Sequence, residues 1–195
     1  MNNGSLHKKI FSNIPTLSSK RLALRKIAVS DAKDMFDYAR APGVSKYTIW
    51  SPHKDISETL DFIRYVIKNY HSCASEDWGI VYKPDAKFIG TIGFFNWDES
   101  NRKAEIHYAL SNRYSGLGIM TEAVKRTLCF GFTKMRLNRI EARCMINNKA
   151  SERVMQKCGM KYEGIMRGSL FAKGKYFDLK TYAVLKEDWA RSKSK

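Results

Sequence analysis

The 195 residues carry 35 Lys+Arg against 19 Asp+Glu, a formal charge of +16, with 44% hydrophobic and 12% aromatic residues. With 10 Phe, 10 Tyr and 4 Trp to bury, the chain can offset the entropy of ordering and reads as one folded, basic domain, which excludes a disordered polycation. No run of about 18 apolar residues occurs, which excludes a membrane-spanning helix, and the basic N-terminus has no signal-type apolar stretch behind it.

Cys73, Cys129, Cys144 and Cys158 are widely separated, with neither a CxxC pair nor a histidine at zinc-finger spacing. They read as reduced thiols of a cytoplasmic protein, and no metal site is expected. The positive charge has two readings. It can neutralise the phosphates of nucleic acid or a ribosomal surface, or attract a small polyanion. Lys and Arg thicken only at the ends, at Lys8, Lys9, Lys20, Arg21, Arg25 and Lys26 ahead of Asp31 and at Arg191, Lys193 and Lys195, so the ends read as a loosely ordered lead-in and tail.

Residues 21–27 alternate imperfectly and predict a first strand. Ser30 and Asp31 are placed to cap a helix bearing Ala32, Met35, Phe36 and Ala39, which Pro42-Gly43 ends. Ser57 opens a second helix with Leu60, Ile63, Val66, Ile67 and Tyr70 on one stripe. A meander follows at 78–83, 87–98 and 104–111, turning at Pro84-Asp85 and again at 98–101. In its third strand Ala104, Ile106, Tyr108 and Leu110 share one face, and Glu105, His107 and Ala109 the other. A helix with the seam Met120, Val124, Leu128, Phe132 and Met135 precedes an alternating strand at 139–146. Asn148 caps a short helix bearing Ser151, Val154, Met155 and Cys158, Gly159 stops it, and strands near 162–171 and 175–186 close the chain. The order βααβββαβαββ is a mixed α/β single domain with some parallel pairing through crossovers.

Between Ser111 and the helix near Ile119 lies Asn112-Arg113-Tyr114-Ser115-Gly116-Leu117-Gly118. Two glycines one residue apart let a backbone approach a ligand, and the next helix aims its unpaired N–H groups at the same point, as a pyrophosphate site requires. The third glycine of a dinucleotide loop and the GK[ST] of a P-loop are missing. The spacing Arg113-x-x-Gly116-x-Gly118 resembles the acyl-CoA signature [RQ]-x-x-G-x-[GA] of the GCN5-related N-acetyltransferase (GNAT) family. Residues 90–96, 104–108, Thr121-Glu122-Ala123, 139–160, 162–164, Asp178 and Tyr182 are similar to the branch of that family that acetylates protein N-termini, of ribosomal-protein-alanine type. The resemblance covers about 17–189 and implies an N-acetyltransferase domain there, flanked by a 1–16 lead-in and a 190–195 tail.

The resemblance implies a GNAT fold, a sheet splayed at its centre between 104–111 and 139–146, with acetyl-CoA in the cleft. Backbone of Tyr108, Ala109 and Leu110 would pair with the pantetheine arm, amides of Tyr114, Ser115, Gly116, Leu117, Gly118, Ile119 and Met120 would take the pyrophosphate, with Arg113 of the signature also at the cofactor, and Asn148 would reach the arm from the far side. The acceptor is a primary amine, either a protein N-terminus or a small molecule such as a polyamine, amino acid or antibiotic. A neutral amine needs a base at pH 7. Glu105 is the first candidate, with an exposed charge or a partner for Arg143 as the plain reading. His107 has the right intrinsic pKa where most of the branch has glycine. Glu141 is a third carboxylate that can orient the amine. For the acid, many relatives use a tyrosine where this chain has Met155, leaving Ser151, whose hydroxyl can equally cap its helix. A glutamate that some relatives carry is replaced by Leu170. Trp50, His53, Trp78, Phe94, Phe95, Asn96 and Trp97 line either the acceptor cleft or the core. A non-catalytic basic module that docks on RNA or a ribosome is the reading from another class; sequence-specific nucleic-acid contact is not expected, and oligomeric state is not legible.

Overall fold

Alternating apolar residues build one mixed sheet of eight strands in the order β1-β2-β3-β4-β5-β6-β8-β7. The computed structural model describes residues 6–72 and 75–193. The strands are β1 (Leu17–Ser18), β2 (Leu22–Arg25), β3 (Glu76–Tyr82), β4 (Lys87–Asp98), β5 (Lys103–Leu110), β6 (Arg139–Met145), β7 (Lys161–Ala172) and β8 (Lys175–Leu185). The helices are α1 (Leu6–Phe11), α2 (Ala32–Ala39), α3 (Pro42–Ser45), α4 (Ile56–His71), α5 (Ile119–Thr133), α6 (Lys149–Lys157) and α7 (Lys186–Lys193).

Pleat alternation sends Trp78, Ile92, Phe94, Ile106 and Ile140 to one face, all buried to 2% exposure or less. Helix α5 covers that face. Phe130 meets the Trp78 ring edge-on at 5.4 Å, and a Cβ on Gly131 would come within 2.8 Å of Ile140 and 3.0 Å of Phe94. On the other face α2 and α4 pack over β3 and β4, with Tyr38 stacked on Phe88 and Tyr70 Oη donating to the Asp77 carbonyl.

Several sequence expectations need correction. The lead-in is not loose where it is described: α1 docks Phe11, 1% exposed, against Trp78 and Trp97, with Ile14 buried behind it. At the other end, α7 runs across the expected boundary and sets Trp189 on Phe132. Asp31 does not cap α2 with its side chain; its carboxylate accepts from the Ala28 N–H and from both terminal nitrogens of Arg25. Pro42 starts a short helix rather than ending one, because its fixed φ suits a first helical position. Asp55, not Ser57, caps α4 through the amides of Ser57 and Glu58. None of Cys129, Cys144 and Cys158 forms a disulfide, and burial pushes the Cys144 and Cys158 thiols up to about 11 and about 12. Cys73, Lys195 and residues 1–5 of the lead-in lie outside the described residues. No helix among the described residues is long and apolar enough to cross a membrane.

Candidate functional site

Among the described residues, strands β5 and β6 are the sheet's one parallel pair, and they share only three rungs, Lys103↔Arg139, Ala104↔Ile140 and Glu105↔Glu141. Beyond them β5 stays with β4 as far as Leu110↔Gly90, while β6 stays with β8 as far as Met145↔Leu179. The two strands therefore part, and from Ile106 to Leu110 the edge of β5 that faces β6 has no ladder partner among the described residues. An extended amide-bearing arm can occupy that edge as a missing strand would.

The glycine loop stands at the open end of this splay. Arg113 and Tyr114 lie in a 3-10 turn, Asn112–Tyr114, and Gly116 and Gly118 adopt φ of 81° and 73°, a region costly for a side chain that carries a Cβ. Nothing lies within 4 Å of where a Gly116 Cβ would stand. Ile119 and Met120 bury their side chains in the core, so they can offer a ligand only their N–H groups. Those amides, with those of 116–118, stand at the positive end of α5, where an anion is favoured, whereas the Tyr114 and Ser115 amides, expected to share in the cradle, are spent on the Ser111 and Asn112 carbonyls at 3.0 and 3.1 Å. A clamp not expected from sequence fixes the loop. Arg21 Nη1 donates to the Leu117 carbonyl at 3.0 Å while its Nε donates to Glu122 at 2.7 Å, and Glu122 also accepts from Ser19 Oγ and the Arg21 N–H. Burial pushes the Glu122 carboxyl up, but these donors outweigh it and leave the group below its ordinary range.

The face opposite α5 collects the charged candidates. Glu105, 6% exposed, lies 2.9 Å from Arg143 Nη2, and burial raises its carboxyl against the pull of Arg143, with Glu141 adding to the rise. Glu141 accepts from Arg139 Nε at 2.8 Å and lies 3.8 Å from Arg143. Glu105 is thus a partner of Arg143, as its plain reading held, and also the buried carboxyl of the site. His107 Nε2 lies 3.1 Å from Asp77 Oδ1, whose other oxygen accepts from Ser75 Oγ at 2.8 Å. Asp77 was missed in the sequence because it stands at a strand start in no motif. Gly93, the cross-strand neighbour of both residues, makes the pair possible: a Cβ there would lie 2.5 Å from Asp77 Oδ1 and 2.9 Å from His107 Nε2. Phe95 sets its ring edge-on to His107 at 5.4 Å. Of the other aromatic candidates, Trp78 and Phe94 are plain core, Trp97 packs on His7 and Phe11, and Trp50 leans on His53.

On the α5 face, the far side of the splay holds Asn148 and Ser151. Asn148 Oδ1 accepts from the Ser151 N–H at 3.1 Å and so caps α6. The Ser151 hydroxyl is free of that task and lies 2.9 Å from Tyr108 Oη. Tyr108 therefore brings a phenol across the splay, a role its backbone assignment did not anticipate, and burial raises its pKa above the ordinary tyrosine value. Met155 is wholly buried. Above the other face the β7–β8 turn reaches over to α3, where Lys173 Nζ donates to the Ser45 carbonyl at 2.5 Å.

This architecture has known counterparts. The chain is 34% identical over 175 residues to the uncharacterized N-acetyltransferase p20 of Bacillus licheniformis, spanning 90% of this chain and 98% of that one. It is 34% identical over 115 residues to YdaF of Bacillus subtilis, whose name carries a provisional assignment as a ribosomal N-acetyltransferase, spanning 59% of this chain and 62% of that one. The crystal structure of a GNAT-family acetyltransferase from Bacillus anthracis superposes with a TM-score of 0.78 at 27% identity, covering 89% of this chain and 99% of that one. The model of the acetyltransferase (GNAT) domain matches residues 21–161, a span that holds the splayed strands, the glycine loop and all of α6. No group of His, Cys, Asp and Glu among the described residues is arranged to hold a metal ion. The parted strands, the cradle of amides and the matched span lead to one conclusion: the chain belongs to the GNAT family and is an acetyl-CoA-dependent N-acetyltransferase.

Proposed function

We propose that the acceptor is the α-amine of a protein N-terminus, of ribosomal-protein-alanine type, acetylated in the cytoplasm. The observation that carries this reading is the charge state of the acceptor face. Each carboxylate there already has a cationic or hydrogen-bonding partner: Glu105 with Arg143, Glu141 with Arg139, and Asp77 with His107 and Ser75. A polyamine carries further ammonium groups that need free carboxylates, whereas a peptide terminus brings one ammonium followed by neutral amides. The relationship to YdaF supports the same class.

In this reading the arm of acetyl-CoA lies along Tyr108–Leu110, its diphosphate on the amides of 116–120, and Asn148 faces the arm across the splay. The acceptor nitrogen attacks the thioester carbonyl and the C–S bond breaks. The ammonium proton passes to His107, held in place by Asp77, with the raised carboxyl of Glu105 two residues along as the next acceptor and Glu141 orienting the arginines behind it. The nitrogen sheds two protons in all: one leaves through His107 and Glu105 to solvent, and the departing thiolate ends with the equivalent of the other, donated by Ser151 while Tyr108 passes its proton to the serine and is itself reprotonated from solvent, so that no charge stays on the buried phenol.

Release of CoA from acetyl-CoA, measured over Ala- and Ser-starting peptides, intact ribosomal proteins, spermidine and free amino acids, tests the acceptor. The peptides and proteins are expected to turn over. Turnover of spermidine or an amino acid with none on the peptides sinks the assignment.

A further inference from the structure

At the end of the sheet remote from the glycine loop, three cations surround a cavity of about 690 Å³ lined also by Trp97, Phe132 and Met135. They are Arg102, Arg136 and Lys186, all exposed and none in an ion pair among the described residues. Arg102 precedes β5 and the loop follows it, so the eight residues of that strand place this cavity roughly 25 Å from the cofactor cradle.

The cations stand on a stitched scaffold. The Asn138 N–H donates to the Arg102 carbonyl at 2.6 Å, and the Lys186 N–H donates to the Asn138 carbonyl at 2.9 Å, while the Leu137 N–H ties the Arg136 turn to Gly131 at 3.1 Å. Arg102 and Arg136 hold φ of 52° and 57°, a conformation that costs a residue with a Cβ and that the surrounding hydrogen bonds must enforce. The one acid of the lining, Glu99, already accepts from the Leu6 and His7 amides. Phe132 and Met135 make an apolar floor, 1% and 2% exposed, and the half-buried Trp97 indole borders it. The volume far exceeds what one phosphate ion fills.

We infer that this end of the molecule is a binding site for single-stranded RNA, Arg102, Arg136 and Lys186 taking successive backbone phosphates and the half-buried Trp97 indole taking a base. Three cations set around one cavity beside an aromatic edge are the combination that tracks a phosphate chain without reading its sequence. The site is separate from acetyl transfer, so it holds whichever amine the enzyme acetylates.

The test is fluorescence anisotropy of a labelled twelve-nucleotide oligouridylate with the full chain at several salt concentrations. The triple variant Arg102→Asn, Arg136→Asn, Lys186→Gln removes the charges and keeps residues that tolerate positive φ at the two turns. At about 0.1 M salt it is expected to bind at least tenfold more weakly than wild type, with the slope of log K against log salt smaller by about 2, the value for three phosphate contacts on a single strand. The control Lys33→Gln, Lys54→Gln, Lys68→Gln, equal in charge change, is expected to stay within twofold, and both are expected to keep wild-type acetyl-CoA affinity. If the triple variant loses acetyl-CoA affinity, Lys186→Gln alone is read, with about a threefold loss expected and a slope smaller by about 0.7. No oligonucleotide binding by wild type, an unaltered affinity in the site variant, or equal losses in site variant and control overturns the inference.

Discussion

Replacing Gly93 with alanine inserts one methyl where the sheet has no room for it. The new Cβ would lie 2.5 Å from Asp77 Oδ1, 2.8 Å from the Glu76 carbonyl and 2.9 Å from His107 Nε2. Asp77 and His107 can swing, but the Glu76 carbonyl is backbone of the paired strand, so the cost is that of an overpacked site, about 1–3 kcal/mol. Gly93 is not at positive φ, so alanine returns about 0.4–1 kcal/mol by restricting the unfolded chain. The net loss is about 1–2 kcal/mol, or roughly 3–6 °C in Tm for a domain of this size. The consequence for activity is sharper, because the methyl sits between the imidazole and the carboxylate that orients it, and a displacement of about 1 Å at a reacting group can cost on the order of 100-fold. Differential scanning calorimetry and steady-state kinetics on Gly93→Ala are expected to show the lowered Tm, a kcat/KM for the amine reduced by about 10–100-fold, and an unaltered Kd for acetyl-CoA. Asp77→Asn, which removes the charge without adding volume, is expected to reproduce the kinetic loss with a smaller change in Tm. Wild-type Tm together with a wild-type kcat/KM for the amine in Gly93→Ala would refute the reasoning.

Gly118→Glu places a carboxylate and a Cβ at φ of 73° in the amide cradle, and calorimetric titration is expected to show acetyl-CoA binding weakened at least tenfold. Glu105→Gln and His107→Ala are read as pH–rate profiles. Burial raises the Glu105 carboxyl, so a base there is active only above its raised pKa, and Glu105→Gln is expected to lower kcat and remove that limb; profiles unchanged in both variants would leave catalysis to positioning alone. Tyr108→Phe deletes the hydroxyl 2.9 Å from Ser151 Oγ and is expected to lower kcat about tenfold with little effect on acetyl-CoA affinity; a Ser151→Ala, Tyr108→Phe pair that loses the product of the two single effects would show that they do not act together. Hydrogen bonds from Lys180, Tyr182 and Lys149 hold the Glu152 carboxyl down to about 2. A group depressed on folding contributes stability above its unfolded pKa near 4.5 and loses it as pH falls toward the folded value. Denaturant melts of wild type and Glu152→Gln are therefore expected to differ most at pH 5–7 and to converge toward pH 2.

The regular elements were readable because their period and their neighbours agree. The seam of α5 and the alternation of β6 name a buried face whichever partner covers it, and the cap at Asn148 needs only the amide three residues on. What could not be read depends on distant backbone. Helix α1 has only six residues, too few to propagate alone, and exists because Phe11 finds Trp78 and Trp97 more than sixty positions away. The glycine loop was legible as a cradle, whereas its clamp of Arg21 and Glu122 joins residues 101 positions apart. The same holds inside the site. Glu105 and His107 were visible as a pair on one face of a strand, but Asp77 enters through the register of β3 on β4, and Tyr108 leaves its backbone role only because the splay turns its phenol toward α6.

The three rungs that join β5 to β6 make the sheet two antiparallel sheets on a short common hinge. One holds β1–β5 under α2 and α4; the other holds β6–β8. Each is continuous on its own, and what joins them beyond those rungs is packing through α5 and α6, the backbone bonds of Asn138 and Arg139 to Arg102, the side-chain pairs Glu105–Arg143 and Tyr108–Ser151, and the reach of Lys173 to Ser45. A ligand arm lodged between them completes the ladder, so occupancy and rigidity become one variable. In the binding mode proposed above, the arm of acetyl-CoA would extend the pairing along Ile106–Leu110, so that departure of CoA would take part of the seam with the product.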